Sequence, residues 1–173
     1  VPAVVQQLTK VSGTSARALL FTILTGARTG ETIGATWDEI DIKQKLWVIP
    51  AERMKAGKEH RVPLSKAALS LLEGMSRESR YVFPGNRRNK PLSNMSMLKC
   101  LRTVRSETDE TVHGFRSSFR DWAAEQTDYP REIVEACLAH ATGGAVELAY
   151  RRTDFLDKRR ELMAEWGGWC CGG

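Results

Sequence analysis

Ala18, Leu19, Leu20, Phe21, Ile23 and Leu24 make an apolar run with almost no polar face at helical spacing. A helix that is apolar nearly all round must run through the centre of a fold, with other elements covering it on every side. Ser15 is placed to cap its start, and Gly26 to stop it. Arg28 follows at once, so a core element would hold this cation rigidly. At 173 residues the chain reads as one domain, large enough to bury such a helix without covalent or metal staples.

Shorter signals supply the elements around it. A second helix is expected from Glu31 to Ala35. Ile40 to Pro50 reads as strand material, strongest at Leu46-Trp47-Val48-Ile49, and Lys55-Ala56-Gly57-Lys58 as a hairpin tip leading into a strand from His60 to Leu64. Ser65 caps a helix with Ala68, Leu69, Leu71, Leu72 and Met75 on one face. After a turn at Tyr81 to Gly85, Ser93 starts a helix carrying Met97, Leu98, Leu101 and Val104. His113 precedes a helix with Phe115, Phe119, Trp122 and Ala123 at core spacing. Arg131 to Ala139 and Val146 to Tyr150 read as short helices, and Leu156 to Trp166 as a last amphipathic one, followed by Gly167-Gly168. The expected fold class is mainly α with a small antiparallel β-sheet, an α+β domain.

Charge narrows the partner. The formal net charge is +5, and from Arg80 to Arg105 there are seven lysines or arginines with no Asp or Glu. Such a run is either a solvated face or a nucleic-acid contact, and Lys58, Arg87, Arg88 and Lys90 are the candidates for contact. Cys100, Cys137, Cys170 and Cys171 show no framework spacing, which suits a reducing cytosol. Cys137-x-x-His140 is half of a metal motif, but no second ligand pair stands at zinc-finger spacing. No apolar run reaches membrane-spanning length, and Val1 opens neither a signal peptide nor a natural start, so the chain reads as an excised domain with no membrane partner.

Five polar side chains stand out by their order. Arg28 lies in Thr25-Gly26-Ala27-Arg28-Thr29-Gly30-Glu31, and two more lie in His113-Gly114-Phe115-Arg116. His140 follows Leu138-Ala139, and Tyr150 comes ten residues later. Taken singly, each has an ordinary reading: Arg28 in a salt bridge with Glu31, the histidines as caps or core groups, Tyr150 as a packed tyrosine like Tyr81 and Tyr129.

Together they suit phosphodiester transfer. Negative charge sits on the non-bridging oxygens as phosphorus becomes five-coordinate, and a guanidinium stays charged and can bond two oxygens at once. Arg28 and Arg116 are the candidate clamps. His113, three residues before Arg116, would point the same way at a helix start whose N–H groups favour an anion. Tyr150 would be the nucleophile; a phenol ordinarily titrates near about 10, so it needs a base or nearby positive charge.

With Arg61-Val62-Pro63-Leu64-Ser65, Ala149-Tyr150-Arg151-Arg152 and the closing Lys158 to Met163, this ordered set resembles the tyrosine recombinases, or phage integrases. Within them it is most similar to the genomic-island and prophage subgroup. The resemblance implies the tyrosine recombinase catalytic-domain fold. It makes residues 1–173 the C-terminal catalytic domain, with the N-terminal arm-binding and core-binding domains absent from this chain. It implies site-specific recombination, in which Tyr150 forms a 3′-phosphotyrosyl intermediate before strand exchange and religation integrate or excise mobile DNA.

Because the phosphotyrosyl bond conserves the energy of the broken phosphodiester, neither ATP nor metal is expected. The resemblance supplies Lys55 on the hairpin tip as general acid, with Lys58 as its competitor. Implied partners are double-stranded DNA attachment sites, further copies in a synaptic homotetramer, an excision factor and DNA-bending proteins, at the nucleoid in a bacterial cytoplasm. The tail helix is expected either to dock on a neighbouring protomer or to cover its own core. Ala139 stands where many family members carry glycine. Two other readings use the same residues: a type IB topoisomerase-like nicking-closing enzyme, and a DNA-binding or regulatory module that no longer cleaves. A hydrolytic nuclease is disfavoured, since no carboxylate cluster suggests paired metal ions.

Overall fold

The computed structural model describes residues 1–87, 89–106, 109–140 and 154–172. Three helices, α1 (Pro2–Leu8), α2 (Thr14–Thr25) and α3 (Thr29–Ile33), precede strands β1 (Ile40–Asp41), β2 (Leu46–Ile49) and β3 (His60–Pro63). Then come α4 (Lys66–Glu73), α5 (Ser96–Val104), α6 (Gly114–Gln126), α7 (Arg131–Cys137) and α8 (Leu156–Cys170). The fold is mainly helical with one small antiparallel sheet, as its patterning requires.

Helix α2 is the axis of the domain. Nine of its twelve residues are buried, and α1, α3, α4, α5 and α8 pack around it. It ends at Gly26, whose φ of 63° is the left-handed conformation glycine adopts without strain. Its start differs from expectation: Gly13 takes the N-cap position and Ser15 lies inside the first turn. Helix α1 carried no periodic signal in its seven residues, yet it buries Val4, Val5 and Leu8.

The sheet has the order β1-β2-β3, antiparallel throughout. Trp47 pairs with Val62 and Ile49 with His60. The expected strand region from 40 to 50 is two strands, because Lys45 adopts φ 54° and reverses the chain between them. Trp47 and Phe83 both rest on Phe21, with ring centroids 5.2 and 5.4 Å away, so the sheet covers one side of α2.

Ser65 caps α4 as expected, its Oγ accepting the Ala68 N–H at 3.3 Å. Helix α3 begins two residues earlier than expected, and α5 begins at Ser96, where the Ser93 and Ser96 hydroxyls lie 2.9 Å apart across the preceding turn. Helix α8 runs through Gly167-Gly168 to Cys170. Gly167 is there for close approach: a Cβ on it would stand 2.5 Å from Ser65 Oγ. Leu162, Met163 and Trp166 are buried, and the Trp166 indole N–H donates to the Ile23 carbonyl at 2.8 Å. The tail helix therefore covers its own core. The helix expected from Val146 to Tyr150 lies outside the described residues.

Candidate active site

Arg116 sits in the first turn of α6 and is only 4% exposed despite its charge. Its Nη1 donates to the Gly26 carbonyl at the end of α2. Its Nη2 donates to the Leu138 carbonyl at 2.8 Å and lies 2.9 Å from His140 Nε2. One buried guanidinium thus ties the end of α2 to the turn after α7, while its Nε has no partner among the described residues. Burial first, then the nearby Arg28 charge, push Arg116 down to about 10, so it stays cationic at neutral pH.

Arg28 occupies the turn between α2 and α3. Its Nη1 is 2.7 Å from Glu31 Oε1, and its backbone N–H donates to Glu31 Oε2 at 2.8 Å. The ordinary reading of Arg28 as an ion-pair partner is thus realised. Its side chain remains 29% exposed and carries further N–H donors for an anion.

His140 is held from both sides. Nδ1 lies 2.5 Å from Glu135 Oε2, and Nε2 lies 2.9 Å from Arg116 Nη2. A carboxylate accepts and a guanidinium donates, so Nδ1 carries the hydrogen and Nε2 the lone pair. Glu135 is buried and also meets Arg120 at 3.2 Å and Arg131 at 3.7 Å. Burial alone would raise its pKa, but the His140 hydrogen bond and the Arg120 charge outweigh that and hold it below the ordinary value. Ala139, with φ 51°, makes the tight turn that returns the His140 N–H to the Glu135 carbonyl at 3.0 Å. A left-handed backbone is what glycine provides most cheaply at this position.

His113 immediately precedes α6, but its side chain is exposed whereas Arg116 turns inward. Lys55 and Lys58 are both exposed at the β2–β3 tip, where Gly57 adopts φ 62° and Met54 is buried beneath. Arg87 and Lys90 are exposed and line a cleft with Ser15, Ser93 and Ser96. Arg88 and Tyr150 lie outside the described residues.

Two residues near the site carried no sequence signal, Glu135 and His60. His60 Nε2 lies 3.2 Å from the Cys137 carbonyl, which can only accept, so an N–H of β3 holds the end of α7. Burial, then the Arg159 charge, lower His60 to about 4, which keeps it neutral. Arg159 of α8 is buried beside it and donates to the Arg61 carbonyl, while Arg61 pairs with Asp154 at 2.6 Å. Burial pushes the Cys137 thiol up to about 11, and His140 is committed to Glu135 and Arg116. Among the described residues, no three His, Cys, Asp or Glu side chains gather as metal ligands, and no helix is long and apolar enough to cross a membrane.

Arg28, Arg116 and His140 therefore converge from three elements on a partly open cationic corner. The family model described as "Phage integrase family" matches residues 2–156. The chain belongs to the phage integrase family. It is 36% identical over 151 residues to the prophage integrase IntA of Escherichia coli (strain K12), covering 85% of this chain and 36% of that relative. It is 34% identical over 176 residues to the integrase of Shigella phage Sf6, covering 98% of this chain and 46% of that relative. The chain thus spans less than half the length of these two integrases. The solved integrase from mycobacterium phage Brujita has the same fold: TM-score 0.73 at 18% identity, over 94% of this chain and 55% of that one.

Proposed function

We propose that this chain is the catalytic domain of a site-specific DNA recombinase of the prophage or genomic-island type. The observation that carries the proposal is the buried Arg116, bonded to His140 and near Arg28, in a member of the phage integrase family. Arg28 and Arg116 would clamp the non-bridging oxygens of a scissile phosphate, where preorganised charge stabilises the five-coordinate state. His113 and His140 would complete the cradle. Tyr150, giving up its phenol proton to a neighbouring base or to solvent, would attack phosphorus, forming the 3′-phosphotyrosyl bond and releasing the 5′-oxygen, which takes its proton from Lys55.

Reversal of these steps religates the exchanged strand without ATP or metal. Lys58, Arg87, Arg88 and Lys90 would track the backbone of a double-stranded attachment site. Four copies would assemble on two sites in the bacterial cytoplasm, with an excision factor and bending proteins setting direction.

The deciding experiment offers a nicked suicide DNA substrate in EDTA and resolves covalent adducts on a denaturing gel. An adduct mapping to Tyr150, absent from Tyr150→Phe although DNA is still bound, is the expected result. An adduct that persists in Tyr150→Phe overturns the nucleophile. DNA binding with no adduct, even after the upstream domains are restored, identifies a non-cleaving module. Relaxation of supercoiled DNA without partner exchange identifies a topoisomerase.

A further inference from the structure

We propose that Glu135 is a positioning residue for strand cleavage: it fixes the ring of His140 and supports that ring as a cation when a DNA phosphate arrives. The inference rests on the recombinase reading above and deepens it. In the structure, His140 Nε2 accepts from Arg116 Nη2 at 2.9 Å while Nδ1–H donates to Glu135 at 2.5 Å. A phosphate oxygen only accepts, so Nε2 can bond it only after taking a proton from solvent. Two N–H groups then face each other, the Arg116–His140 bond ends, and both groups become free to donate to phosphate oxygens.

A second cation in this corner needs a counter-charge. Among the described residues, the surrounding groups are Arg116 and Arg120 from α6, Glu135 and Arg131 from α7, Arg28 and Glu31 from the α2–α3 turn, His60 from β3 and Arg159 from α8. Of the two carboxylates among them, Glu31 is engaged by Arg28 and Glu135 bonds the imidazole directly. Arg120 and Arg131 hold the Glu135 carboxylate on its other side, so it is buried, ionised and fixed in place. A carboxylate that orients and charges a histidine acts here as it does in hydrolytic triads.

The test uses protein with 15N-labelled histidine, the His140 signals identified by their loss in His140→Asn. In the wild type near neutral pH, the free ring is expected to carry its hydrogen on Nδ1, and a nicked duplex is expected to protonate both nitrogens. Glu135→Gln keeps an acceptor for Nδ1–H but removes the charge. Its ring should stay neutral on DNA, and single-turnover cleavage should fall at least about tenfold near pH 8 and recover towards pH 6. Equal double protonation in the Gln variant, or a rate loss identical at every pH, overturns the proposal. If Glu135→Gln does not fold, Glu135→Asp replaces it, with a lower rate and the wild-type pH profile expected; a displaced profile there also overturns it. A wild type whose ring takes up the proton on DNA but forms no adduct, even with the upstream domains restored, leaves Glu135 as the partner of a phosphate-binding His140 and removes its role in cleavage together with the recombinase reading.

Discussion

Arg116 Nη2 lies 2.9 Å from His140 Nε2, and the same nitrogen donates to the carbonyl of Leu138, two residues before that histidine. The arginine therefore sets both the ring and the backbone of the turn it belongs to. Position and charge at this corner are two effects of one side chain.

Replacing Arg116 by lysine separates them. A lysine keeps a charge but cannot span Gly26, Leu138 and His140 with a planar fork. Single-turnover cleavage by Arg116→Lys should drop by roughly 10²–10³, comparable to losing one preorganised donor. Unfolding free energy should fall by about 1–3 kcal/mol, because buried carbonyls lose their partner. Wild-type cleavage by the variant would show that charge alone suffices.

Lys55 and Lys58 are both exposed at one hairpin tip, and chemistry can tell them apart. A general acid becomes unnecessary when the leaving group is already a weak base. Lys55→Ala should lose about 10²–10⁴ in cleavage of ordinary DNA and regain most of it on DNA with sulfur at the 5′-bridging position. Lys58→Ala should mainly weaken binding, and more so at low salt. Sulfur rescue of the Lys58 variant alone would move the general-acid role to that residue.

His60 should make the fold acid-sensitive. Its pKa is about 4 in the folded chain, against 6.5 ordinarily, so between those values the unfolded chain binds more protons. The stabilisation is complete above about 6.5 and drains away as pH falls towards about 4. A gap of 2.5 units (6.5 − 4) corresponds to about 3 kcal/mol at the bottom of that window. Urea unfolding from about pH 7 to pH 4.5 should show this slope, and His60→Gln should flatten it. An unchanged slope in the variant would assign the acid sensitivity to other groups.

Ala139 carries a backbone φ of 51°, unfavourable for a residue with a Cβ by roughly 1–2 kcal/mol. Ala139→Gly relieves that strain but adds freedom to the unfolded chain, which takes back about 0.5–1 kcal/mol. A net gain of up to about 1 kcal/mol in chemical unfolding is expected. A loss would mean that the alanine methyl contributes more packing than strain.

Adjacent glycines in α8 should respond with opposite signs. A Cβ at Gly167 would stand 2.5 Å from Ser65 Oγ and 2.6 Å from Ser65 Cβ, whereas one at Gly168 meets nothing within 4 Å. Gly167→Ala should cost about 1–3 kcal/mol through overpacking against the α4 cap. Gly168→Ala should gain up to about 1 kcal/mol from helix propensity. Equal effects at the two sites would mean that α8 does not press on Ser65.

Local chemistry explains which features could be read without a structure. The apolar run at Ala18 to Leu24 leaves a helix no polar face, so its central place followed at once. Gly26 and Ser65 act within one turn of themselves, and their stop and cap were legible for that reason. Ser15 and Ser93 were misleading because a hydroxyl near a helix start fits several turn geometries. At Ser15 the observed one is set by Gly13, and Ser93 stands a full turn ahead of its helix. Gly167 was legible only as a break in helix propensity, because its reason, Ser65, is about a hundred residues distant in the chain.

By itself, then, the chain determined its element types, its central helix and the order Arg28, His113, Arg116, His140, since each depends on residue types and short spacings. Tertiary structure decided what those residues do to one another. Packing of α6 against α7 turned Arg116 inward to the Gly26 carbonyl after α2, while His113 stayed exposed. The left-handed turn at Ala139 brought Glu135 to His140, a five-residue spacing that does not share a helix face. The fold brought His60 of β3, half-buried, to donate to the carbonyl of Cys137, a residue 77 positions away. Hydrogen-bond partners at such separations are chosen by which surfaces the core presses together, and no local pattern encodes that choice.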